Sequence, residues 1–97
     1  MQQASGEFLK SIGALIRAKR VDRMDQQALA LRVGISRTTI SSMERGVGVN
    51  SNSLFKVLHH LDLLNDLQQL VDGQLDQMDN SLSRKSRKVK EVLSNDF

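Results

Sequence analysis

The chain has 97 residues, with no cysteine, no proline and only three aromatic residues, all of them Phe. This length fits one small domain with or without a tail, and a core of about sixty residues is near the lower limit for independent stability. The absence of cysteine excludes disulfides and thiolate metal sites and agrees with a cytoplasmic protein. No apolar run approaches the roughly 18 residues that a membrane helix needs, and the first residues do not resemble a signal peptide.

The formal net charge of +3 is the sum of three segments of alternating sign. Residues 1–50 hold eight basic and four acidic side chains, residues 51–83 hold one basic and five acidic, and residues 84–97 hold five basic and two acidic. A polyanionic partner would therefore meet the first half of the chain, with or without the tail, rather than the acidic middle.

Residues 1–6 are expected to form a flexible leader before a first helix over about residues 7–20. Gly13 lowers the helix propensity there by about 1 kcal/mol relative to Ala, and we infer that another backbone approaches it closely. The connection after this helix, VDRMD, is short, so either the loop is tight or the helix ends early. The apolar face of the helix, read from spacings of three and four residues, comprises Phe8, Ile12, Leu15 and Ile16.

Residues 24–46 predict two short helices joined by a tight turn. Asp25 is a good N-cap for the first helix, which Gln26 opens. Gly34 stands where that helix ends, a position that often requires a left-handed backbone. Ser36 then caps a second helix over about residues 37–45. The apolar residues that form the buried side of this unit are Ala28, Leu29, Val33, Ile35, Ile40 and Met43.

The other face of the second helix carries short hydroxyl side chains and arginines with almost no carboxylates. Such a face suits the edges of DNA base pairs, because hydroxyl and guanidinium groups match their donors and acceptors. Its members are Arg37, Thr38, Thr39, Ser41, Ser42 and Arg45.

Two further helices follow. Asn50 is expected to cap a helix over about residues 51–61, and the next helix starts at residue 63 or 65 and ends at about residue 71. The last helix carries more leucines than is usual for a peripheral helix of a small monomer. These side chains therefore either complete the monomer core or form a dimer interface. The residues assigned to that interface are Leu63, Leu64, Leu67 and Leu70.

Residues 73–97 form an acidic and then basic tail. Residues 72–83 are compatible with a weak helix or with disorder. The basic cluster that follows is either a solvated tail, an additional contact to phosphate or a docking site for an acidic partner. Its members are Arg84, Lys85, Arg87, Lys88 and Lys90.

A specific set of residues resembles the helix-turn-helix of the Xre family, the group that contains the lambdoid phage repressors and Cro. The resemblance extends over about residues 12–70 and implies an all-α, five-helix, lambda-repressor-like fold, with residues 7–72 as the DNA-binding domain. It is carried by Gln26, Leu29, Ala30, Gly34, Ser36, Arg37, Thr39, Ile40, Ser41, Glu44, Arg45 and Gly46.

The resemblance also implies roles for individual residues. Arg37, Thr38 and Ser42 match positions that contact bases, and Arg20 matches an arginine that pairs with the glutamate at the position of Glu44. The residues assigned to the DNA backbone are Gln26, Ser36, Thr39, Ser41, Arg45 and Asn52.

The sequence contains no nucleophile–base pair, phosphate loop or metal signature, so we predict neither an enzyme nor a cofactor or metal. The resemblance implies a repressor that binds double-stranded operator DNA as a homodimer. Residues 53–71, together with the short basic tail, are more loosely similar to HipB-type antitoxins, which restrain a HipA-like kinase toxin and repress their own operon. A restriction-modification controller protein and a stand-alone phage-type repressor are the alternatives.

Overall fold

The computed structural model describes the backbone of residues 2–85 and the side chains of residues 3–80, so most of the basic cluster lies outside the described residues. Within that range the chain forms five α-helices and no strand, as predicted. The helices are α1 (Gln2–Val21), α2 (Gln26–Val33), α3 (Arg37–Glu44), α4 (Ser51–His60) and α5 (Leu64–Lys85).

Three predicted N-caps and one predicted helix stop are confirmed. The Asp25 carboxylate accepts from the Ala28 N–H, and the Ser36 hydroxyl accepts from the Thr39 N–H. The Asn50 side chain accepts from two N–H groups in the first turn of α4. Gly34 ends α2 with a φ of 76°, the left-handed backbone that a side chain would disfavour.

The first and last helices are longer than predicted. α1 begins at Gln2 rather than near residue 7, and α5 continues to Lys85 rather than ending near residue 71. Both added segments are free of proline, the residue that disfavours a helix interior most, and each contains two Gln, a good helix former. Residues 72–83 are therefore helical. α1 does not end early, because the Arg20 carbonyl accepts from the N–H groups of Arg23 and Met24 and closes a tight connection.

The core lies where α3 packs against α1 and α2, and where α2 packs against α4. Each of these helices contributes at least one side chain that is almost completely removed from water, which is the main stabilising term for so small a unit. The buried apolar residues are Ile16, Leu29, Ala30, Ile40, Met43, Val57, Leu58 and Leu61.

The predicted apolar face of α1 is wrong by about a quarter of a turn. Ile16 is buried and Ile12 is half-buried, but Phe8 is 60% exposed and Leu15 is 45% exposed. The face that packs instead follows the spacing of Gly13, Ile16 and Arg20, all of which are buried. The apolar pattern missed this face because glycine and arginine do not count as apolar residues.

Gly13 is required where α1 meets the end of α3. A Cβ at this position would lie 2.3 Å from the carbonyl oxygen of Met43 and 2.9 Å from that of Glu44. Gly46 is a second position without room for a side chain, because a Cβ there would lie 2.8 Å from the Cα of Lys10. Its φ of 76° also disfavours any residue other than glycine. The inferred backbone approach at Gly13 is therefore confirmed.

The chain divides into two compact units, residues 1–64 and residues 65–97. The second unit contains nearly all of α5, which carries a row of apolar side chains. Leu67 is half-buried, whereas Leu70, Val71, Leu75 and Met78 are more than half exposed.

We expect Gly13→Ala to lower the free energy of unfolding by about 1–3 kcal/mol, because backbone carbonyls leave no room for a methyl group. Helix propensity alone predicts the opposite, a gain of up to about 1 kcal/mol. Gly6→Ala in the same helix is the matched control, since no atom lies within 4 Å of its Cβ position. Urea unfolding of the two variants measures the difference, and equal stabilities would contradict the close approach.

Candidate nucleic-acid interface

The candidate interface is built on α3. Successive residues of a helix are about 100° apart, so Ile40 and Met43, which are buried, define the inner side. The opposite side of α3 combines guanidinium groups with small hydroxyl groups. It comprises Arg37, Thr38, Ser41, Ser42 and Arg45, which we call the outward face.

The outward face is accessible. Arg37, Thr38 and Arg45 are exposed, and Ser41 and Ser42 are half-buried. Arg37 makes no ion pair with a described carboxylate, so its guanidinium donors are available to a ligand. No carboxylate on α3 competes with an anion there except Glu44, whose side chain is only 5% exposed.

Ser36 and Thr39 have a local task at the start of α3. The Ser36 hydroxyl lies 2.8 Å from the Thr39 hydroxyl and accepts from the Thr39 N–H at 3.1 Å. These contacts fix the beginning of the helix and thereby the direction in which Arg37 and Thr38 leave it. One hydroxyl hydrogen of the pair is still available, because only one of the two hydroxyl groups donates to the other.

A buried ion pair joins the three elements behind the outward face. Arg20 of α1 donates through Nη2 to Glu44 Oε1 of α3 at 3.0 Å and through Nε to Oε2. Its Nη1 donates to the Met24 carbonyl oxygen at 3.0 Å, just before α2. Gln26 of α2 donates through Nε2 to Glu44 Oε1 at 3.1 Å. The sequence-predicted partners Arg20 and Glu44 are thus brought together, and Gln26 is added to them.

The same contacts determine the ionisation of the pair. Burial alone would raise the pKa of Glu44, but hydrogen bonds from Arg20 and Gln26 and the charges of Arg20 and Arg17 outweigh it and lower the pKa. The hydrogen bond to Glu44 raises the pKa of Arg20, against the opposing effect of its own burial. Both groups are therefore ionised wherever the protein is folded near neutral pH.

An open depression of about 200 Å³ lies over this pair. It receives side chains from α1, α2 and α3 and from the residue that ends α3. Its lining residues are Arg17, Arg20, Gln26, Ser41, Glu44 and Arg45, which we call the arginine depression. Sequence reasoning missed Arg17, although its position one helical turn before Arg20 could have placed it beside Glu44.

Residues 16–63 match the family model described as helix-turn-helix. This range spans α2 and α3 entirely, together with the end of α1 and all of α4. The chain contains a helix-turn-helix domain. The match supports the Xre and lambda-repressor type that the sequence resemblance implied. A comparison with curated proteins found no match.

The match supports a DNA-binding transcription regulator. In such domains the second helix of the motif enters the major groove and the first crosses the DNA backbone. In this chain α3 is the second helix of the motif and therefore corresponds to the recognition helix. The domain is a regulatory DNA-binding domain rather than a member of an enzyme family.

The remaining predicted residues lie on α4 and around α5. Asn52 is exposed in the first turn of α4, and its backbone N–H donates to Asn50 Oδ1 at 2.8 Å. Leu63, Leu64 and Leu67 are half-buried, and Leu70 is 61% exposed. Among the described residues no group of three or more His, Asp or Glu side chains could hold a metal ion. None of the described helices is long and apolar enough to cross a membrane.

We expect the stability of the helix-turn-helix domain to fall as the pH drops below about 4.3, the pKa of an unfolded glutamate. The folded pKa of Glu44 is lowered, so its stabilising contribution is complete above the unfolded pKa and is lost as the pH falls through the folded pKa.

At neutral pH, Glu44→Gln should lower the free energy of unfolding by about 3–5 kcal/mol, because Arg20 is left as an unpaired buried charge.

Urea unfolding between pH 3 and pH 7 measures both effects. The matched control is Glu7→Gln, which removes an exposed carboxylate from α1. A Glu44→Gln variant with the stability and acid sensitivity of the control would contradict the role of the buried pair.

Proposed function

We propose that the chain is a sequence-specific transcriptional repressor that binds operator DNA as a homodimer in the cytoplasm, with residues 7–72 as its DNA-binding domain. The observation that carries this proposal is the outward face of the recognition helix, where arginines and hydroxyl groups are accessible and the single carboxylate of α3 is buried and neutralised. A homodimer would place two recognition helices in successive major grooves, about one helical turn apart. Repression would follow from blocking the promoter.

Within that complex, base readout is proposed for Arg37, Thr38 and Ser42. Arg37 opens the recognition helix at its exposed N-terminal end, where base contacts concentrate. Its guanidinium fork matches O6 and N7 of guanine. Thr38 can offer a methyl group to thymine, and Ser42 can donate or accept. The residues proposed to position the DNA backbone are Gln26, Ser36, Thr39, Ser41, Arg45 and Asn52.

The homodimer proposal rests on α5. Leu64 and Leu75 are 11 residues apart, as are Leu67 and Met78, and a repeat of 11 keeps apolar side chains on one side of a helix. Leu75 and Met78 are more than half exposed. A two-fold pairing with a second copy would cover this stripe. The stripe extends the predicted interface from Leu64 and Leu67 towards the end of α5. Leu70 is not part of the stripe, because it lies about 100° around the helix from the centre of the stripe.

A narrower proposal is that the repressor is the antitoxin of a HipA-like kinase toxin. It rests on the similarity of residues 53–71 to HipB-type antitoxins. An adjacent gene for such a kinase would support it, whereas an adjacent methyltransferase gene would favour a restriction-modification controller protein.

The function is tested by titrating the purified chain into the DNA upstream of its own coding sequence and into a scrambled duplex, followed by fluorescence anisotropy. We expect the upstream DNA to bind about 10³-fold more tightly or better, with two subunits per site. Weak and equal binding to both duplexes would contradict autorepression.

Arg37→Ala should weaken binding to the upstream DNA by about 1–3 kcal/mol and should remove the preference at one base pair. Arg32→Ala is the control, because Arg32 is also exposed but lies in the last turn of α2. If Arg37→Ala weakens the scrambled duplex equally, Arg37 contacts phosphate and not a base.

For the dimer, the double variant Leu75→Gln with Met78→Gln should raise the monomer–dimer dissociation constant at least about tenfold, because each buried apolar side chain contributes about 1.5–3 kcal/mol. Sedimentation equilibrium measures the constant. Leu31→Gln is the control, since Leu31 is 72% exposed on α2. An unchanged constant in the double variant, or an equal change in the control, would exclude α5 as the interface.

A further inference from the structure

We infer that α5 pairs antiparallel with α5 of a second copy, so that the basic cluster of each copy lies against an acidic row on the other. The inference rests on the proposed homodimer and deepens it, because it gives the direction of the pairing. It also gives the basic cluster an acidic protein partner in place of DNA.

The acidic row comprises Asp72, Asp76 and Asp79, whose spacings of four and three residues place them on one side of α5. All three are exposed. Each follows directly after an apolar residue that is more than half exposed, so the acidic row runs beside the apolar stripe, about 100° around the helix. These apolar residues are Val71, Leu75 and Met78.

The acidic row has no basic partner in the described part of the chain. The two ion pairs found there involve Glu44 and Asp62. Asp72 accepts a hydrogen bond from Gln68 Nε2 at 3.1 Å, which leaves its charge in place. Residues 57–83 contain no Lys or Arg. An exposed apolar stripe with unpaired carboxylates beside it suits a partner that offers apolar and basic side chains together.

The end of the same chain has that composition. Residues 84–93 hold five basic side chains and one acidic side chain. The spacing of the stripe also continues in this part of the sequence, since Val89 follows Met78 by 11 residues and Leu93 follows Leu82 by 11. The segment therefore combines the two properties that the exposed side of α5 requires.

Charge favours the antiparallel direction. Residues 64–83 hold four acidic and no basic side chains, whereas residues 84–93 are strongly basic. Paired helices are about 8–10 Å apart, close to the Debye length at physiological salt, so the facing segments interact. A parallel pair would set acidic against acidic. An antiparallel pair with Val71 opposite Val89 of the partner subunit sets each acidic segment against a basic one.

The same register matches apolar residues with apolar residues. Facing residue numbers have a constant sum in an antiparallel pair, so Met78 then stands opposite Leu82 of the partner subunit. Val71 and Met78 are 52% and 60% exposed, so both have apolar surface that a partner can cover. Burial of such surface is the main stabilising term of helix pairing in water.

A second copy suits the stripe better than the chain's own tail. A tail that covered its own α5 would have to reverse direction after Lys85. Residues 81–93 contain no Gly, Pro, Asn or Asp, the residues that most favour turns. The sequence therefore favours contact between two copies over a hairpin within one.

Disulfide trapping tests the direction, because the chain has no cysteine. An equimolar mixture of Val71→Cys and Val89→Cys chains should form a mixed disulfide, which needs Cα atoms about 4.4–6.8 Å apart. Leu75→Cys alone should not link, since its two copies would be about 15 Å apart along the pair. Leu31→Cys, exposed on α2, measures the rate of random collision.

Three results of the trapping would overturn the inference. A linked Leu75→Cys dimer without the mixed product would show a parallel pair. A mixed product that forms no faster than the Leu31→Cys dimer would show no specific pairing. A bridge within one chain of the Val71→Cys and Val89→Cys double variant, without the mixed product, would show that the tail covers its own α5.

Salt dependence gives an independent test by sedimentation equilibrium. The dimer dissociation constant should rise with salt, because salt screens the attraction between the acidic row and the basic cluster. Asp72→Asn with Asp76→Asn should raise it about threefold or more at low salt, the size of two exposed ion pairs. Asp22→Asn, exposed outside α5, should leave it unchanged. A parallel pair would show the opposite signs, with tighter dimers at high salt and in the double variant.

Deletion of residues 86–97 separates the inference from the proposed function. It should raise the dimer dissociation constant about tenfold or more, because Val89 and Leu93 are lost from the pairing. An unchanged constant with a lower salt slope of DNA binding would show that the basic cluster contacts phosphate instead. A wild-type chain that stays monomeric refutes the homodimer itself, whereas a dimer without the mixed disulfide refutes only the antiparallel pairing.

Discussion

The Glu44 carboxylate connects the first three helices of the chain through hydrogen bonds. Arg20 reaches it from α1, Gln26 reaches it from α2, and the carboxylate itself stands in the last turn of α3. An ion pair with so little access to water stabilises a fold only where further hydrogen bonds satisfy both ions. Here Gln26 and the Met24 carbonyl oxygen supply them. The orientation of α3 therefore depends on one largely buried polar contact beside the apolar core.

That contact is possible because the backbones of α1 and α3 come close together. Gly13 and Gly46 leave no room for a side chain at the crossing, and the absence of these side chains lets Arg20 reach Glu44. The two features support each other, since a wider crossing would separate the ions and leave both without compensation. Sterics and electrostatics thus specify the same arrangement of helices.

Much of this architecture could be predicted from the sequence, and the failures have physical causes. The caps at Asp25, Ser36 and Asn50 were predictable because a side chain bonds to a backbone group two or three residues away. The packing face of α1 was not, because its centre is a glycine and an arginine whose partners are on another helix. The length of α5 was missed because its second half is polar, and polarity alone does not separate a solvated helix from a loop.

The candidate site shows the same division between local and distant contacts. The outward face of α3 followed from periodicity, which needs only the sequence of that helix. The spacing of Arg17 from Arg20 could have placed it beside Glu44, but its position beside Gln26, Ser41 and Arg45 depends on the packing of three elements. A lining that is assembled from several helices becomes visible only once the fold is known.

The separation of the two sides of α3 has a consequence for evolution and redesign. The side chains of Arg37, Thr38 and Ser42 make no described hydrogen bond or ion pair, whereas Ile40 and Met43 are buried on the other side. Substitutions on the outward face can therefore accumulate with little penalty in stability. A related chain could acquire a different target sequence by changing these few positions, and a grafted set of side chains could be tested on this scaffold without repacking its core.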